Sequence, residues 1–311
     1  MDKLKAMTVF VGIVEAGSLT AAAERAGSSL ASVVRQLAAL EHTLGVRLIN
    51  RTTRRMALTD EGRAYFERCR RLLADIDDME HALTDREQAP AGRLLITAPV
   101  MFGRLHVAPI VSDFLAAFPG IRAELILLDR VVDLLEEGFD LAVRIGSLPD
   151  SSLVAARLGE TRRVLCASPG YLQRHGVPTV PGDLAAQRGQ HQMVGFARFG
   201  AMGEWVFQQN NRRERIALQE RFATNQVPVA LDACLKGLGI GRFLGYQVAD
   251  ALADGRLVSV LDDWMPPPEP VHLLMPSGRL MSSRVRAFVN WASPHLRAAI
   301  SARNAGPATA D

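Results

Sequence analysis

The sequence predicts a multidomain chain: a helical N-terminal unit finished by a β-hairpin, a long linker helix, and a two-lobed α/β domain. Three observations predict it. Apolar stripes at helical spacing fill the first sixty residues and break at Gly17 and Gly27; a heptad-like seam follows as far as Pro90; and from Arg93 onward strand and helix patterns alternate. At 311 residues the chain has room for two or three domains.

Composition excludes several classes. With 48% hydrophobic and 22% charged residues, the chain is globular rather than disordered or fibrous. The formal charge of +3 is only mildly basic, so its location matters more than its sum. Arg35, Arg47, Arg51, Arg54 and Arg55 are opposed over that stretch only by Glu41, whereas the following arm carries Asp75, Asp77, Asp78 and Glu80. Cys69, Cys166 and Cys234 form no CxxC pair, and the seven histidines show neither HExxH nor paired ligand spacing, so no metal site is expected. Ser168 lacks a G-x-S-x-G elbow, and no catalytic Ser/His/Asp set can be assembled. Gly237, Gly239 and Gly241 suggest a nucleotide loop, but Arg242 stands where a third glycine belongs and the segment reads as a strand; no cofactor is expected. No basic-plus-apolar leader opens the sequence and no apolar run reads as a membrane span, which points to a cytoplasmic protein.

In the N-terminal unit, Met7, Phe10, Val11 and Val14 make one stripe. Ser18 or Thr20 can cap a second helix rich in small residues, Ala21 to Ala26, and Ser28 or Ser29 can cap a third. On the third helix Val33, Leu37, Leu40 and Leu44 form a buried stripe, leaving Ser28, Ala31, Ser32 and Arg35 opposite, with Val34 on the shoulder. Small and polar residues around one Arg suit a helix pressed into a major groove of double-stranded DNA. The same pattern also fits an ordinary exposed helix face. The next segment favours the groove: Val46, Leu48, Met56 and Leu58 alternate about the basic tip Arg51-Thr52-Thr53-Arg54-Arg55, a β-hairpin carrying cations toward phosphates.

The stretch GSLTAAAERAGSSLASVVRQLAALEHTLGVRLINRTTRRMALTDEG resembles the winged helix-turn-helix of LysR-type transcriptional regulators. The likeness includes the LE-x-x-LG element at Leu40, Glu41, Leu44 and Gly45 and the wing from Arg51 to Gly62. Leu30 and Val34 depart from the family's usual residues in the recognition helix. The resemblance implies DNA contacts from Ser28, Ser29, Ala31, Ser32, Val34 and Arg35 on that helix, and from Arg51, Thr53, Arg54 and Arg55 on the wing.

Thr59 can cap a long helix whose first turn holds Asp60 and Glu61. Along it Tyr65, Cys69, Leu72, Ile76, Met79 and Leu83 step by fours and threes, a seam suited to self-pairing, although the helix could instead pack on its own chain. In LysR-type proteins the equivalent helix pairs antiparallel with its twin, which implies a homodimer or homotetramer. RNA polymerase is a further partner that the resemblance implies.

Beyond Arg93, LLITA, RAELILL and DLAVRIG read as strands, with GRLHVAPIVSDFLAAF and VVDLLEEG as helices between them. A second unit from about Thr161 to Asp263 carries strands at RRVLCAS, HQMVGF, RFATN and LGIGRF and the helix VPVALDACLKG. VHLLM and a last helix, SSRVRAFVNWASPHL, return to the first lobe. This region resembles the LysR effector domain, related in fold to type 2 periplasmic binding proteins. The likeness rests on Thr97-Ala98-Pro99, on Asp133-Leu134 with Gly138, Asp140, Ala142 and Arg144, on Ala167-Ser168-Pro169 with Tyr171-Leu172, and on Gly237 to Ile240. It implies a small-molecule effector held by Pro99, Val100, Met101, Ile145, Gly146, Ser147, Phe196, Thr224 and Asn225.

The loops at Val100–Gly103 and Asn225–Pro228 open helices whose free N–H groups favour an anion or a carbonyl, unless they are simply capped helix starts. Arg242 could meet an anionic effector but reads rather as a salt-bridge partner at the lobe surface, and Trp205, Trp264 and Trp291 read as core residues rather than stacking platforms. The expected division is residues 1–58 for DNA, 59–90 for the linker, 91–298 for the effector domain (lobe I about 91–160 and 265–298, lobe II about 161–264) and a flexible tail at 299–311. Two rival readings are a solute-binding or enzymatic α/β domain with an incidental helical N-terminus, and an effector-independent regulator with a vestigial cleft.

Overall fold

The computed structural model describes residues 2–52, 55–84, 89–148, 153–185, 190–196, 204–210, 212–218, 220–276 and 281–304. It divides into two compact units, one built mainly from the chain up to Gly92 and the other mainly from Arg93 onward.

In the first unit, α1 (Lys3–Ala16) starts where the Asp2 carboxylate accepts the Lys5 N–H and stops at Gly17, whose φ of 69° suits a residue without Cβ. Ser18 caps α2 (Leu19–Arg25) and Ser29 caps α3 (Leu30–Leu44), which settles the two capping alternatives. The hairpin of β1 (Ile49–Thr52) and β2 (Arg55–Leu58) pairs Ile49 with Leu58 and Thr52 with Arg55. The Thr59 hydroxyl accepts the Gly62 N–H at 2.8 Å and so caps α4 (Asp60–Thr84). Phe10, Ile13, Val33, Leu37, Leu40 and Leu48 are the centre of the core, and the buried Ala22 and Ala23 let α2 approach closely.

One expectation about the arm is corrected. Cys69 is 1% exposed and lies with Phe66 in this core, while Tyr65 packs against it with its ring 5.7 Å from that of Phe10. The start of the seam therefore packs on its own chain. Leu72 is 51% exposed and Ile76 half-buried. Met79 and Leu83 lie on the same helix, with their side chains outside the described set.

In the second unit, lobe I is a five-stranded sheet in the order β4-β3-β5-β14-β6. Its strands are β3 (Gly92–Ala98), β4 (Ile121–Leu127), β5 (Leu141–Ile145), β6 (Leu153–Thr161) and β14 (Glu269–Pro276). Between β3 and β4, α5 (Val100–Phe102) runs through a π-helical turn into α6 (Ala108–Ala117). The window Val100–Ala117 is apolar and long enough to cross a membrane by composition, which corrects the sequence reading. Phe102, Val107, Ile110, Val111 and Phe114 within it are buried.

Lobe II has the order β11-β8-β12-β7-β13. Its strands are β7 (Arg163–Ala167), β8 (Met193–Phe196), β11 (Glu220–Thr224), β12 (Ile240–Leu244) and β13 (Val258–Val260). The helices are α8 (Pro169–His175), α9 (Val227–Leu235) and α10 (Gly245–Ala253), and a hairpin is formed by β9 (Glu204–Gln209) and β10 (Arg212–Ala217).

The sheets are mixed rather than parallel. β14 runs antiparallel to β5 and β6, and β7 antiparallel to β12 and β13, because the chain crosses between the lobes at those strands. The VVDLLEEG segment is helical only over α7 (Leu134–Glu137), with Val131 80% exposed ahead of it. The last helix, α11 (Ser283–Asn304), does return to lobe I, where Phe288 meets Phe114 at 5.1 Å between ring centroids. It also runs past the expected start of the tail: Ile300 is buried in space that a side chain at Gly159 would occupy.

Candidate DNA-binding surface and ligand cleft

On α3, Val33, Leu37 and Leu40 are buried while Ser28, Ser29, Leu30, Ala31 and Arg35 are exposed; Ser32 and Val34 lie on the shoulders. The Ser29 hydroxyl accepts the Ser32 N–H at 3.2 Å, and the Ser32 hydroxyl accepts from Gln36 Nε2 at 3.2 Å. Ser29 and Ser32 thus have local structural bonds, and Arg35 is the long cationic side chain on the outward face. Of the wing residues, Thr53 and Arg54 lie outside the described residues; Arg51 and Arg55 are placed on β1 and β2 by backbone, with their side chains outside the described set.

Sequence reasoning missed what holds the wing to α3. Glu41 Oε1 accepts the backbone N–H of Leu48 at 2.8 Å and of Ile49 at 3.1 Å. Gly62 passes so close to the Leu48 carbonyl that a Cβ there would fall 1.9 Å from its oxygen. The signal was present: Glu41 and Gly62 both belong to the motifs that carry the resemblance.

In the second unit, strand direction brings the expected ligand residues to facing ends of two sheets. Pro99, Val100 and Met101 follow β3, and Ile145, Gly146 and Ser147 end or follow β5. Across from them, Phe196 and Thr224 end the neighbouring strands β8 and β11, paired in register, and Asn225 follows. The lobes touch at this end. Arg163 Nε donates to Glu269 Oε1 at 2.7 Å, and Tyr246 meets Phe102 and His106 at 5.3 and 5.5 Å between ring centroids.

Each helix start makes some bonds within the chain, although neither N-cap residue, Pro99 or Gln226, supplies a side-chain cap. The Val100 N–H goes to Asp129 Oδ1 at 3.0 Å and the Gly103 N–H to the Pro99 carbonyl; the Gln226 N–H goes to the Thr224 hydroxyl at 3.1 Å.

Arg242 corrects the sequence reading most. Instead of a surface salt bridge, its guanidinium lies 4.8 Å above the ring of Trp205, an indole that is both core residue and platform. Burial, then the like charge of Arg163, brings the Arg242 pKa down to about 10, opposed by Glu269 and Glu220. Burial likewise raises the Glu220 carboxyl above its usual range. Of these four charged residues only Arg242 was considered as ligand-facing in the sequence; Glu220, Arg163 and Glu269 did not stand out, because their meeting depends on strand order.

The nearby glycines serve packing: a Cβ at Gly239 would fall 2.4 Å from the Gln192 carbonyl oxygen, and one at Gly241 would fall 2.6 Å from Cys234 Sγ. A separate concavity of about 530 Å³, lined by Ser168, Arg174, Lys236 and Arg256 among others, lies past the end of β7, away from the cleft. No cluster of metal-ligating side chains occurs among the described residues.

An exposed recognition helix with a wing, joined to a separate two-lobed ligand domain, defines a DNA-binding regulator. Residues 4–63 match the bacterial regulatory helix-turn-helix protein, lysR family, and residues 87–297 match the LysR substrate binding domain. An HTH-type transcriptional repressor of Pseudomonas aeruginosa is 40% identical over 291 residues, covering 94% of this chain and 91% of the relative. The HTH-type transcriptional regulator PtxR of the same species is 37% identical, covering 94% of this chain and 93% of the relative. Among solved structures, CrgA, a LysR-type transcriptional regulator from Neisseria meningitidis, aligns with a TM-score of 0.60 at 31% identity, over 94% of this chain and 98% of that one. The chain belongs to the LysR family of transcription regulators, with a helix-turn-helix DNA-binding domain and a C-terminal effector-binding domain.

Proposed function

We propose that α3 enters the major groove of promoter or operator DNA, with Arg35 reading base edges and Ser28, Ser29, Ala31, Ser32 and Val34 allowing close approach. Arg51, Thr53, Arg54 and Arg55 on the wing engage phosphates. The observation that carries this reading is the division of α3 into a buried Val33-Leu37-Leu40 stripe and an exposed face centred on Arg35, next to a hairpin anchored by Glu41. A gel shift with the DNA flanking the protein's own gene tests it; equal binding to unrelated duplex at every salt concentration would overturn it.

The effector binds between the lobes, against Pro99, Val100, Met101, Ile145, Gly146 and Ser147 on one side and Phe196, Thr224 and Asn225 on the other. The convergence of these residues on facing strand ends, with the Arg163–Glu269 pair and the Tyr246–Phe102 ring contact joining the lobes there, supports this placement. Pairing of α4 through Leu72, Ile76, Met79 and Leu83 makes a homodimer, and two dimers a tetramer. The regulator works in the cytoplasm with RNA polymerase as a partner.

A further inference from the structure

Arg242 and Glu220 are brought to either side of β8 by the strand order β11-β8-β12; Glu220 stands opposite Met193, and its side chain reaches forward to Gly195. β12 runs parallel to β8 with Gly241 opposite Val194, so Arg242 follows opposite Gly195. From the other side the Glu220 carboxyl lies against Gly195 so closely that a Cβ there would fall within 2.0 Å of Oε1. The lack of a side chain at Gly195 lets the Glu220 carboxyl reach in over β8 toward Arg242. Arg242 is held from the far side by the face of Trp205. Arg163 and Glu269 consume each other at the lobe junction. Among the described residues, Arg242 and Glu220 attract each other electrostatically but form no ion pair.

Two opposite charges, both partly buried, thus lie near each other without being joined. Each bears a desolvation cost, visible in the downward shift of the guanidinium and the upward shift of the carboxyl. A simple anion would complete Arg242 but repel Glu220, and a simple cation would do the reverse. A molecule with both charges a few bonds apart would complete both. From the juxtaposition of Arg242 and Glu220 across Gly195, we infer that the effector is a small amino-carboxylate, its carboxylate on the guanidinium and its ammonium on the glutamate. This rests on the cleft reading above and names the chemical class of its ligand.

The test uses the full chain and the free L-amino acids as probes, first by thermal shift and then by titration calorimetry with the strongest. The same side chain is then offered as the deaminated acid and as the decarboxylated amine. At least one amino acid should stabilise the wild type, and each truncated analogue should bind roughly 10- to 100-fold more weakly, as expected for losing one charge-assisted pair. Arg242→Gln and Glu220→Gln should each lose affinity by a similar factor, with Arg242→Lys retaining part of it. If Arg242→Gln does not fold, the analogue series on wild type and the Glu220→Gln titration decide the matter.

Stabilisation by none of the amino acids, or equal binding of the deaminated acid, would overturn the inference. A neutral metabolite that binds, is blocked by Thr224→Trp and ignores Arg242→Gln would also overturn it while leaving the cleft intact. Amino-acid binding that needs Arg242 and Glu220 but survives Thr224→Trp would support the inference and remove the pocket lining proposed above.

Discussion

The Glu41 carboxylate and the Leu48 backbone N–H are joined by a 2.8 Å hydrogen bond that ties the end of the recognition helix to the start of the wing. The same oxygen takes the Ile49 N–H at 3.1 Å, so one side chain satisfies two donors of the chain leaving α3. Wing and helix are thereby held in one geometry, which a protein contacting two features of one duplex needs.

Glu41→Ala leaves the two amides without their carboxylate acceptor, and should cost about 2 kcal/mol of stability in the N-terminal unit. Urea unfolding followed in the residue 1–92 region by hydrogen exchange measures it. An unchanged midpoint would show that water replaces the carboxylate without penalty.

Gly62→Ala forces a Cβ against the Leu48 carbonyl oxygen, where 1.9 Å separates them before relaxation. The backbone must move, at a cost of about 1–3 kcal/mol or more, and the wing moves with it. Thermal unfolding should show a lower Tm, with a loss of DNA affinity larger than the Tm change alone explains.

Much of the N-terminal unit was legible because its signals are local. Helical stripes, serine caps and the alternating hairpin each occupy fewer than about twenty residues and need no distant partner. The arm was half legible: its spacing is regular, yet the same spacing serves the domain core at Cys69 and a free surface at Leu72, and only packing separates the two. The two-lobed domain was legible in its parallel strands and their following helices. Strand β6 was not, since its burial runs i-e-e-i-e-B-i-e-B without alternation, nor was the β9–β10 hairpin, whose second strand begins with four charged residues, Arg212 to Arg215. The cluster of Arg242, Trp205 and Glu220 could not be read because each residue comes from a different strand and a different stretch of chain.

The three thiols should be inert in the native protein. Cys166 and Cys234 are fully buried and Cys69 is 1% exposed; burial pushes the Cys234 pKa up to about 12 and the other two above their usual value. A raised pKa means less thiolate, the nucleophilic form, at any working pH. An aromatic disulfide reagent at pH 8 should titrate none of them until denaturant is added, and fast labelling of any one would contradict the burial.

Leu72→Glu with Ile76→Glu should convert the oligomer to monomer by light scattering, because both residues lie on the part of α4 beyond the domain core. Cys69→Ser should instead lower stability, by about 1–3 kcal/mol, and leave the mass unchanged. Unchanged mass in the double variant would place the self-contact elsewhere.

The most direct test of the account is the effect of Arg35→Ala on operator and scrambled duplex, titrated at several salt concentrations beside Arg54→Ala. A base-reading Arg discriminates by about 1–3 kcal/mol, whereas a phosphate contact adds about one unit to the salt slope and little specificity. Arg35→Ala should therefore lose far more affinity for the operator than for scrambled DNA, and Arg54→Ala should weaken both alike with a shallower slope. Equal loss on both duplexes with a shallower salt slope for Arg35→Ala would make that residue a phosphate clamp and contradict the assignment of α3 as the helix that reads sequence.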